Sequence, residues 1–370
     1  MNKLRTWVEI DKNALCHNAE QFLKLIPKET KLMAMVKSNA YWHGLWQVAE
    51  ILSAMPSFKK RGWFGVDSLV EGLRLRREKI KNPILVLGFT LPRRINEAAQ
   101  ENIAVTISNF ESLATLVKLK VRPKIHLKID TGMHRQGFLP QDTQQLINIL
   151  KSRRIAVQGT FTHLAQAENT TFTKNQLKIF KKICGEFEQA GFVKLIRHAS
   201  ASGGAILHPE SHLDMARIGM SLYGYFPSSA AAEKSRLSLH PVLTWRTIIG
   251  EIKEIPAGSY VGYDRTEQVK RKTKIAVLPI GYWHGYDRGL SGISEVLIKG
   301  KRAKLLGRVS MDMMVADITK IQGAKVGDYA TLIGKDKKES IWADELSRKI
   351  GTTPYEFLTR INPLIRRIIR

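Results

Sequence analysis

Eight short apolar runs, separated by segments of a different periodicity, constrain the fold of this chain more than any other feature of its sequence. Most of the runs are nearly continuous apolar stretches, which is typical of parallel strands covered on both faces. The segments between them favour helices with one buried face, since Leu45, Val48, Ala49 and Leu52 follow the i, i+3, i+4, i+7 spacing. The predicted strands are KLMAMVK (31–37), WFGV (63–66), PILVLG (83–88), IAVTIS (103–108), KIHLKID (124–130), AVQGTFTHL (156–164), KLIRHAS (194–200) and DMARIG (214–219).

Eight strand–helix units in about 200 residues predict a (β/α)8 barrel. A doubly wound sheet is the alternative, but no G-x-G-x-x-G follows the first strand, which weakens a dinucleotide-binding version. The small-residue segment SSAAAEKSRLS (228–238) indicates a linker, and β-rich runs separated by glycine or charged turns follow it. We therefore expect an N-terminal (β/α)8 TIM-type barrel over residues 1–236 and a smaller C-terminal β-rich domain over residues 237–370. The second domain should end with helices, one of them starting at a capping box at Thr353–Glu356.

The composition argues against several classes of protein. Hydrophobic residues make up 44% and charged residues 25%, as in ordinary globular proteins. No run approaches the roughly 20 apolar residues of a transmembrane helix, and Glu9, Asp11 and Lys12 interrupt any signal-peptide core. Cys16 and Cys184 are too few for a metal cluster or a disulfide framework. We expect no metal and a reducing, cytoplasmic location.

The net charge of +26 is unusually high. It could reflect a nucleic-acid partner, because lysine and arginine release counterions from phosphates, or it could keep copies of the protein apart in solution. The basic residues are scattered, and the longest clusters, KRGW (60–63), VKRKTK (269–274) and the tail RRIIR (366–370), are short. Since no RNA-binding aromatic motif or zinc finger accompanies them, we expect no nucleic-acid partner. The lack of a long apolar run leads us to expect no membrane partner either.

Polar residues collect at the carboxyl ends of the predicted strands, where barrels of this type carry their reactive groups. A polar residue in an apolar run is costly unless it is paired or functional, and a lysine there is a candidate for Schiff-base chemistry. Any one of these residues could simply be a satisfied side chain at the barrel mouth, but their convergence on one rim favours a site. They are Lys37 after the first strand, Lys128, Asp130 and Arg135 around the fifth, His163 after the sixth, His198, Ser200 and Ser202 after the seventh, and Arg217 and Gly219 after the eighth.

Ten stretches, in order along almost the whole chain, carry a resemblance to a known family. They are TWVEIDKNALCHN, MVKSNAYWHG, HLKIDTGMHRQGF, GTFTHLAQAE, HASASGG, DMARIGMSLYG, VGYDRT, LPIGYWHGYDR, GRVSMDMMVAD and GTTPYEFLTRI. Together they resemble a bacterial alanine racemase, an isomerase that uses pyridoxal 5'-phosphate (PLP) and consists of a barrel and a C-terminal β domain. The order and spacing of the matches agree as well as their local patterns.

The resemblance implies a cytoplasmic homodimer, with active sites at the subunit interface, that interconverts L-alanine and D-alanine and supplies D-alanine for peptidoglycan. Lys37 would carry PLP as a Schiff base and act as the base facing the D-enantiomer. Tyr263 of the other subunit would be the base facing the L-enantiomer. Racemisation needs two acid–base groups on opposite faces of the α-carbon, because one removes a proton while the other returns it.

Further roles follow from the resemblance for residues around the cofactor. Arg217 would face the pyridine nitrogen, and His163 would belong to the hydrogen-bond network that holds Tyr263 and Arg217. The PLP phosphate would be bound by Tyr41, Ser202, Tyr355 and the backbone N–H groups of Gly219 and Met220.

The remaining implied roles concern the substrate. Arg135 would meet the cofactor's phenolic oxygen and the substrate carboxylate, and Met311 of the partner subunit would bind that carboxylate through its backbone N–H, with Asp312 supporting the loop. Lys128 matches a position that is carbamylated in many relatives. We also expect Tyr282 of one subunit to line the approach to Lys37 of the other.

The chain departs from the family pattern at a few positions. Trp42 replaces a glycine, so we expect a negative φ there. Ala201 replaces an asparagine, His284 replaces an acidic residue near the approach to the site, and His134 lies beside Arg135. These changes leave open a racemase for another amino acid, such as serine, or for a broader range. A non-enzymatic PLP-binding protein is a further alternative, whereas a related decarboxylase is disfavoured because the last cysteine is Cys184.

Overall fold

The computed structural model of the chain describes residues 4–370, which form two compact units. One unit comprises residues 15–40 and 45–240, and the other comprises residues 4–14, 41–44 and 241–370. The first strand, β1 (Thr6–Ile10), belongs to the second unit and precedes the barrel along the chain. No helix among the described residues is both long and apolar enough to cross a bilayer.

The first unit is an eight-stranded parallel barrel. Its strands pair in the order β8-β7-β6-β5-β4-β3-β2-β9, and the N–H groups of Asp214 and Arg217 bridge β9 to β8 by donating to the carbonyls of Arg197 (3.0 Å) and Ser200 (3.2 Å). The predicted barrel and all eight predicted strands are therefore confirmed. The strands are β2 (Lys31–Met35), β3 (Gly62–Val66), β4 (Ile84–Val86), β5 (Ala104–Ile107), β6 (Ile125–Lys128), β7 (Gly159–Phe161), β8 (Ile196–His198) and β9 (Met215–Ile218).

Helices connect consecutive barrel strands and return the chain to the end of the barrel where the next strand starts. Leu45, Val48, Ala49 and Leu52 are all buried on one such helix, as their spacing predicts. The predicted linker contains a helix of its own, which starts where the Ser228 hydroxyl accepts a hydrogen bond from the Ala231 N–H (3.2 Å). The helices are Lys12–Leu25, Leu45–Ala54, Pro56–Arg61, Leu69–Arg77, Ile95–Gln100, Phe110–Lys118, Thr143–Ser152, Thr170–Gln189, Ser202–Leu207 and Ser229–Lys234.

The second unit is β-rich, as predicted, with one large sheet in the order β11-β14-β17-β16-β15-β18-β10-β1-β20. β12 and β13 form a separate pair, β19 pairs with β18, and the helices Ala343–Lys349 and Pro354–Thr359 follow. Thr353 caps the last helix, with Pro354 at its first position, as the sequence predicts. The strands are β10 (Leu243–Ile248), β11 (Glu251–Ile255), β12 (Tyr260–Val261), β13 (Glu267–Gln268), β14 (Thr273–Leu278), β15 (Glu295–Ile298), β16 (Lys301–Leu306), β17 (Met314–Asp317), β18 (Tyr329–Asp336), β19 (Glu339–Ile341) and β20 (Arg366–Ile369).

The two ends of the chain meet in this second sheet. β1 pairs antiparallel with β10, with Val8 opposite Trp245, and parallel with β20, with Val8 opposite Arg367. Residues 4–14 therefore belong to the second unit, although the predicted boundary assigned residues 1–236 to the barrel. The basic tail RRIIR contains the strand β20. Its backbone pairs with β1, which lies more than 300 residues earlier in the sequence.

The turn after β2 has an unusual backbone. Five consecutive residues, from Ser38 to Trp42, have φ between 49° and 67°, a left-handed conformation that costs a residue with a Cβ roughly 1–2 kcal/mol. The prediction of a negative φ at Trp42 is therefore wrong. Contacts on both sides hold the turn: Asn39 Oδ1 accepts from the Leu45 N–H (2.8 Å) in the first unit, and the Trp42 carbonyl accepts from Arg367 Nε (3.1 Å) in the second.

Candidate active site

Arg217, at the end of β9, is a buried guanidinium held from several sides. Its Nη1–H donates to His198 Nδ1 (2.8 Å), and Nη2 donates to the carbonyls of Thr162 (2.9 Å) and Ala199 (2.8 Å). Burial lowers the pKa of Arg217 to about 9, so the group stays charged at neutral pH. These contacts fix a cation inside the barrel with a single orientation.

Two buried histidines continue this network into the barrel interior. His198 Nε2 lies 2.9 Å from His126 Nδ1, and the His198 ring stacks on Phe161 with centroids 4.7 Å apart. Because a guanidinium only donates, His198 Nδ1 must accept and its proton lies on Nε2. Burial, and then the Arg217 cation, hold the pKa of His198 well below its usual range, and burial lowers that of His126 to about 3. Both rings are therefore neutral.

His163 lies against the Arg217 guanidinium at the barrel mouth. Its Nδ1 lies 3.2 Å from Arg217 Nη2. Burial lowers the pKa of His163 to about 3, and Arg217, Arg135, Lys128 and Lys37 add to the effect in that order. The charges of four sequence-predicted cations therefore act on one neutral imidazole.

Lys128 shares this environment. Burial, followed by the neighbouring cations Arg135 and Arg217, lowers the pKa of Lys128 to about 8, while Asp130 opposes the shift. Its ammonium donates to Gln136 Oε1 (3.3 Å), and Gln136 Nε2 donates to Ser108 Oγ (3.2 Å). Neither His126 nor Gln136 was predicted, although His126 precedes Lys128 by two residues and strand alternation places both on the same face of β6.

Asp130 is a buried carboxylate that shapes the loop after β6. Its Oδ1 accepts the N–H groups of Gly132, Met133 and His134 (2.9–3.0 Å), and Oδ2 accepts that of Arg135 (3.1 Å). Burial alone would raise the pKa of Asp130, but these backbone donors outweigh it and lower that pKa. The loop leaves the Arg135 and His134 side chains exposed.

The residues expected to hold a phosphate form two groups. In the barrel, the Gly219 N–H donates to Ser202 Oγ (3.1 Å), beside the buried Met220. In the second unit, the rings of Tyr41 and Tyr355 meet edge to face with centroids 6.0 Å apart. The barrel group offers a hydroxyl and backbone N–H groups, and the second group offers two phenol hydroxyls, all of which suit an anion.

Tyr263 lies on a short turn, Tyr263–Arg265, in the second unit, and its side chain is 70% exposed. Neighbouring contacts hold the turn: Arg308 Nε lies 2.7 Å from Asp264 Oδ2, and the Arg265 guanidinium lies 4.2 Å from the centre of the Tyr260 ring. The phenol therefore projects from a restrained segment of backbone.

Two loops of the second unit bring Tyr282 and Met311 together. The N–H groups of Tyr282 and Trp283 donate to the carbonyls of Ser310 and Met311, each at 3.0 Å. A Cβ on Gly281 would lie 2.0 Å from the Ser310 oxygen, so only glycine allows this approach.

The same pair of loops contains His284 and Asp312. His284 is buried, where its Nδ1 accepts from the Gly281 N–H (3.2 Å) and lies 3.9 Å from Asp312 Oδ1. Burial, and then Arg5, lower the pKa of His284. The histidine that replaces the family's acidic residue therefore stabilises its own loop.

Comparison with known proteins gives a consistent result over the whole chain. Residues 10–227 match the family described as alanine racemase, N-terminal domain, and residues 242–369 match alanine racemase, C-terminal domain. An alanine racemase of Leptospira interrogans (serovar copenhageni) is 38% identical, covering 98% of this chain and 95% of its own length, and one of Methanococcus maripaludis is 35% identical, covering 98% of each.

Solved structures agree with the sequence comparisons. The alanine racemase of Clostridium difficile 630 superposes with a TM-score of 0.93 at 31% identity, covering 100% of this chain and 97% of its own. The Bacillus anthracis alanine racemase with bound L-Ala-P gives 0.91 at 30% identity, covering 100% and 96%.

Proposed function

The chain belongs to the alanine racemase family and interconverts L-alanine and D-alanine; we propose that it does so with PLP in the barrel mouth and with Lys37 and Tyr263 as its two bases. The observation that carries this proposal is the Arg217 guanidinium, fixed by its acceptors and 3.2 Å from the neutral His163. The charges of Lys37, Lys128 and Arg135 act on the same imidazole.

The residues of the barrel mouth suit an anionic cofactor. The charges of four cations act on His163, while the carboxylate of Asp130 already accepts four backbone N–H groups. The groups that would hold the phosphate of PLP are Ser202, Gly219 and Met220, together with Tyr41 and Tyr355. When bound, PLP makes the α-proton of an amino acid acidic enough to be removed.

Lys37 would hold the cofactor through Nζ and exchange a proton with one face of the α-carbon, while the Tyr263 phenol exchanges a proton with the other. Arg217 is charged and fixed by its acceptors, so it would donate to the pyridine nitrogen and leave that nitrogen without a proton. His163 Nδ1 lies 3.2 Å from Arg217 Nη2. The other ring nitrogen, Nε2, would then be the one that orients the oxygen of Tyr263.

Arg135 and the backbone N–H of Met311 would bind the substrate carboxylate. The lowered pKa of Lys128 supports carbamylation there, because CO2 reacts with a neutral amine and a pKa of about 8 provides one near physiological pH. The side chains of Tyr263 and Met311 are 70% and 54% exposed, which supports their delivery to a second copy in a homodimer. We place this dimer in the cytoplasm, as a source of D-alanine for peptidoglycan.

The test is a racemisation assay on purified protein reconstituted with PLP, with optical activity followed from L-alanine. Lys37→Ala should lose both the visible absorbance of lysine-bound PLP and the racemisation. Lys174→Ala, at an exposed lysine of the helix Thr170–Gln189, should keep both. Wild-type protein that binds PLP without racemising alanine would indicate a PLP carrier, and protein that binds no PLP would contradict the proposal.

A further inference from the structure

Five short segments of the barrel carry much of the chain's positive charge. They are KLIPKETK (24–31), KKR (59–61), RLRREKIK (74–81), KLKVRPK (118–124) and KSRR (151–154), and their only carboxylates are Glu29 and Glu78. They are far apart in sequence, so the charge looks scattered when the chain is read from end to end.

The fold brings these segments to one end of the barrel. Each lies between the end of a helix and the start of a strand, namely β2, β3, β4, β6 and β7. Parallel strands start at the same end of the barrel, and the strand order β7-β6-β5-β4-β3-β2 makes these five connections neighbours along one arc. Only the connection before β5, which contains Glu101, interrupts it. We call these five segments the basic arc.

Structural roles account for part of the basic arc. Cations are favourable near helix C-termini, and three arginines donate to backbone carbonyls. Arg61 reaches Pro27 and Lys28, Arg76 reaches Ile80, Asn82 and Asn102, and Arg122 reaches Leu116 and Val117. These contacts do not involve lysine side chains, and Lys79, Lys120 and Lys151 are exposed.

Two exposed valines indicate whether this surface is better suited to a lipid membrane or to a nucleic acid. Val121 lies between Lys120 and Arg122 and is 62% exposed. Val193 lies beside Lys194 in the connection before the adjacent strand β8 and is 63% exposed. An aliphatic tip flanked by cations suits a lipid headgroup layer, where cations meet phosphates and the apolar group enters the acyl boundary. Single-stranded nucleic acid is usually held by exposed aromatic rings, whereas the large apolar side chains exposed here are valines.

We propose, against the sequence-based expectation of no membrane partner, that the basic arc binds the surface of membranes that contain anionic lipids and holds the protein there peripherally. The arc lies at the amino ends of the barrel strands, whereas Lys37 follows the carboxyl end of β2. Membrane binding is therefore independent of the proposed PLP chemistry, and loss of binding would leave racemisation unchanged.

The test compares two double variants of the full-length holoenzyme with equal net charge. Lys120→Glu/Lys151→Glu reverses charges in the basic arc, whereas Lys174→Glu/Lys178→Glu reverses exposed charges in the first half of the helix Thr170–Gln189. Binding to phosphatidylglycerol–phosphatidylcholine vesicles is measured by flotation and compared with pure phosphatidylcholine. Since each cation near an anionic surface contributes appreciably, the arc variant should lose affinity by at least about tenfold. The control variant should bind as the wild type does, and both should racemise alanine at the wild-type rate.

Salt should weaken the binding. Val121→Asp should reduce vesicle affinity by more than the loss of one contact between a cation and a lipid phosphate would. The proposal is overturned if the wild type binds neutral vesicles equally well, or binds neither kind. Equal losses in the two double variants would show that overall charge, and not the basic arc, is responsible. Duplex RNA that binds more tightly than the vesicles would assign the arc to nucleic acid instead.

Discussion

Gly281→Ala tests how the loops of the second unit place Met311. The added Cβ would lie 2.0 Å from the Ser310 oxygen and 2.6 Å from the Met311 oxygen, whereas a carbon–oxygen contact is normally about 3.3 Å or longer. The loops must therefore move apart by roughly 1 Å, which stretches the two 3.0 Å hydrogen bonds from Tyr282 and Trp283 beyond the usual range. Losing both costs about 2 kcal/mol, at about 1 kcal/mol each.

Thermal denaturation and steady-state kinetics measure the two consequences of this change. A loss of about 2 kcal/mol should lower the Tm by roughly 4–8 °C for a domain of this size. We proposed that the Met311 N–H binds the substrate carboxylate, and displacing it should therefore raise the KM for alanine by roughly tenfold, the equivalent of one charge-assisted hydrogen bond. Gly250→Ala is the matched control, because its Cβ would meet its nearest neighbours at 3.6 Å. A Gly281→Ala enzyme with the Tm and KM of the Gly250→Ala enzyme would refute the reasoning.

Two further substitutions test the electrostatics and the backbone of the barrel mouth. Folding lowers the pKa of Lys128 from 10.5 to about 8. The charged lysine therefore destabilises the folded state fully below pH 8, and this destabilisation disappears above pH 10.5. In CO2-free buffer Lys128→Met should therefore raise the free energy of unfolding at pH 7, as measured by denaturant titration. This gain in stability should shrink between pH 8 and pH 10.5. A gain that does not change with pH would contradict the reasoning. At Trp42, where φ is +67°, Trp42→Gly should be more stable than Trp42→Ala by about 1 kcal/mol. Equal stability of the two variants would argue against the left-handed turn.

The barrel and the residues of its mouth were predictable because their signals are local. Apolar runs mark the strands, and Lys37, His163 and Arg217 stand out as polar residues where those runs end. His126 had a local signal as well, since it shares a strand face with Lys128. A buried histidine within a strand is, however, equally compatible with ordinary core packing.

Other features depend on partners that are distant in sequence. β1 pairs with strands that start more than 200 residues later, and nothing in its local pattern identifies them. The left-handed turn through Trp42 runs against the local preference, and contacts of Asn39 and Arg367 hold it. The basic arc was missed for the same reason, because the strand order of the barrel, and not proximity in sequence, makes its segments neighbours.

Proton exchange in D2O tests the central claim, that Lys37 and Tyr263 act on opposite faces of the substrate. Exchange of the α-proton is followed separately from L-alanine and from D-alanine, in the wild type and in Tyr263→Phe with its PLP absorbance intact. The variant should exchange the α-proton of D-alanine at a rate near that of the wild type and lose most exchange from L-alanine. Equal loss from both enantiomers, or no loss from either, would contradict the two-base account.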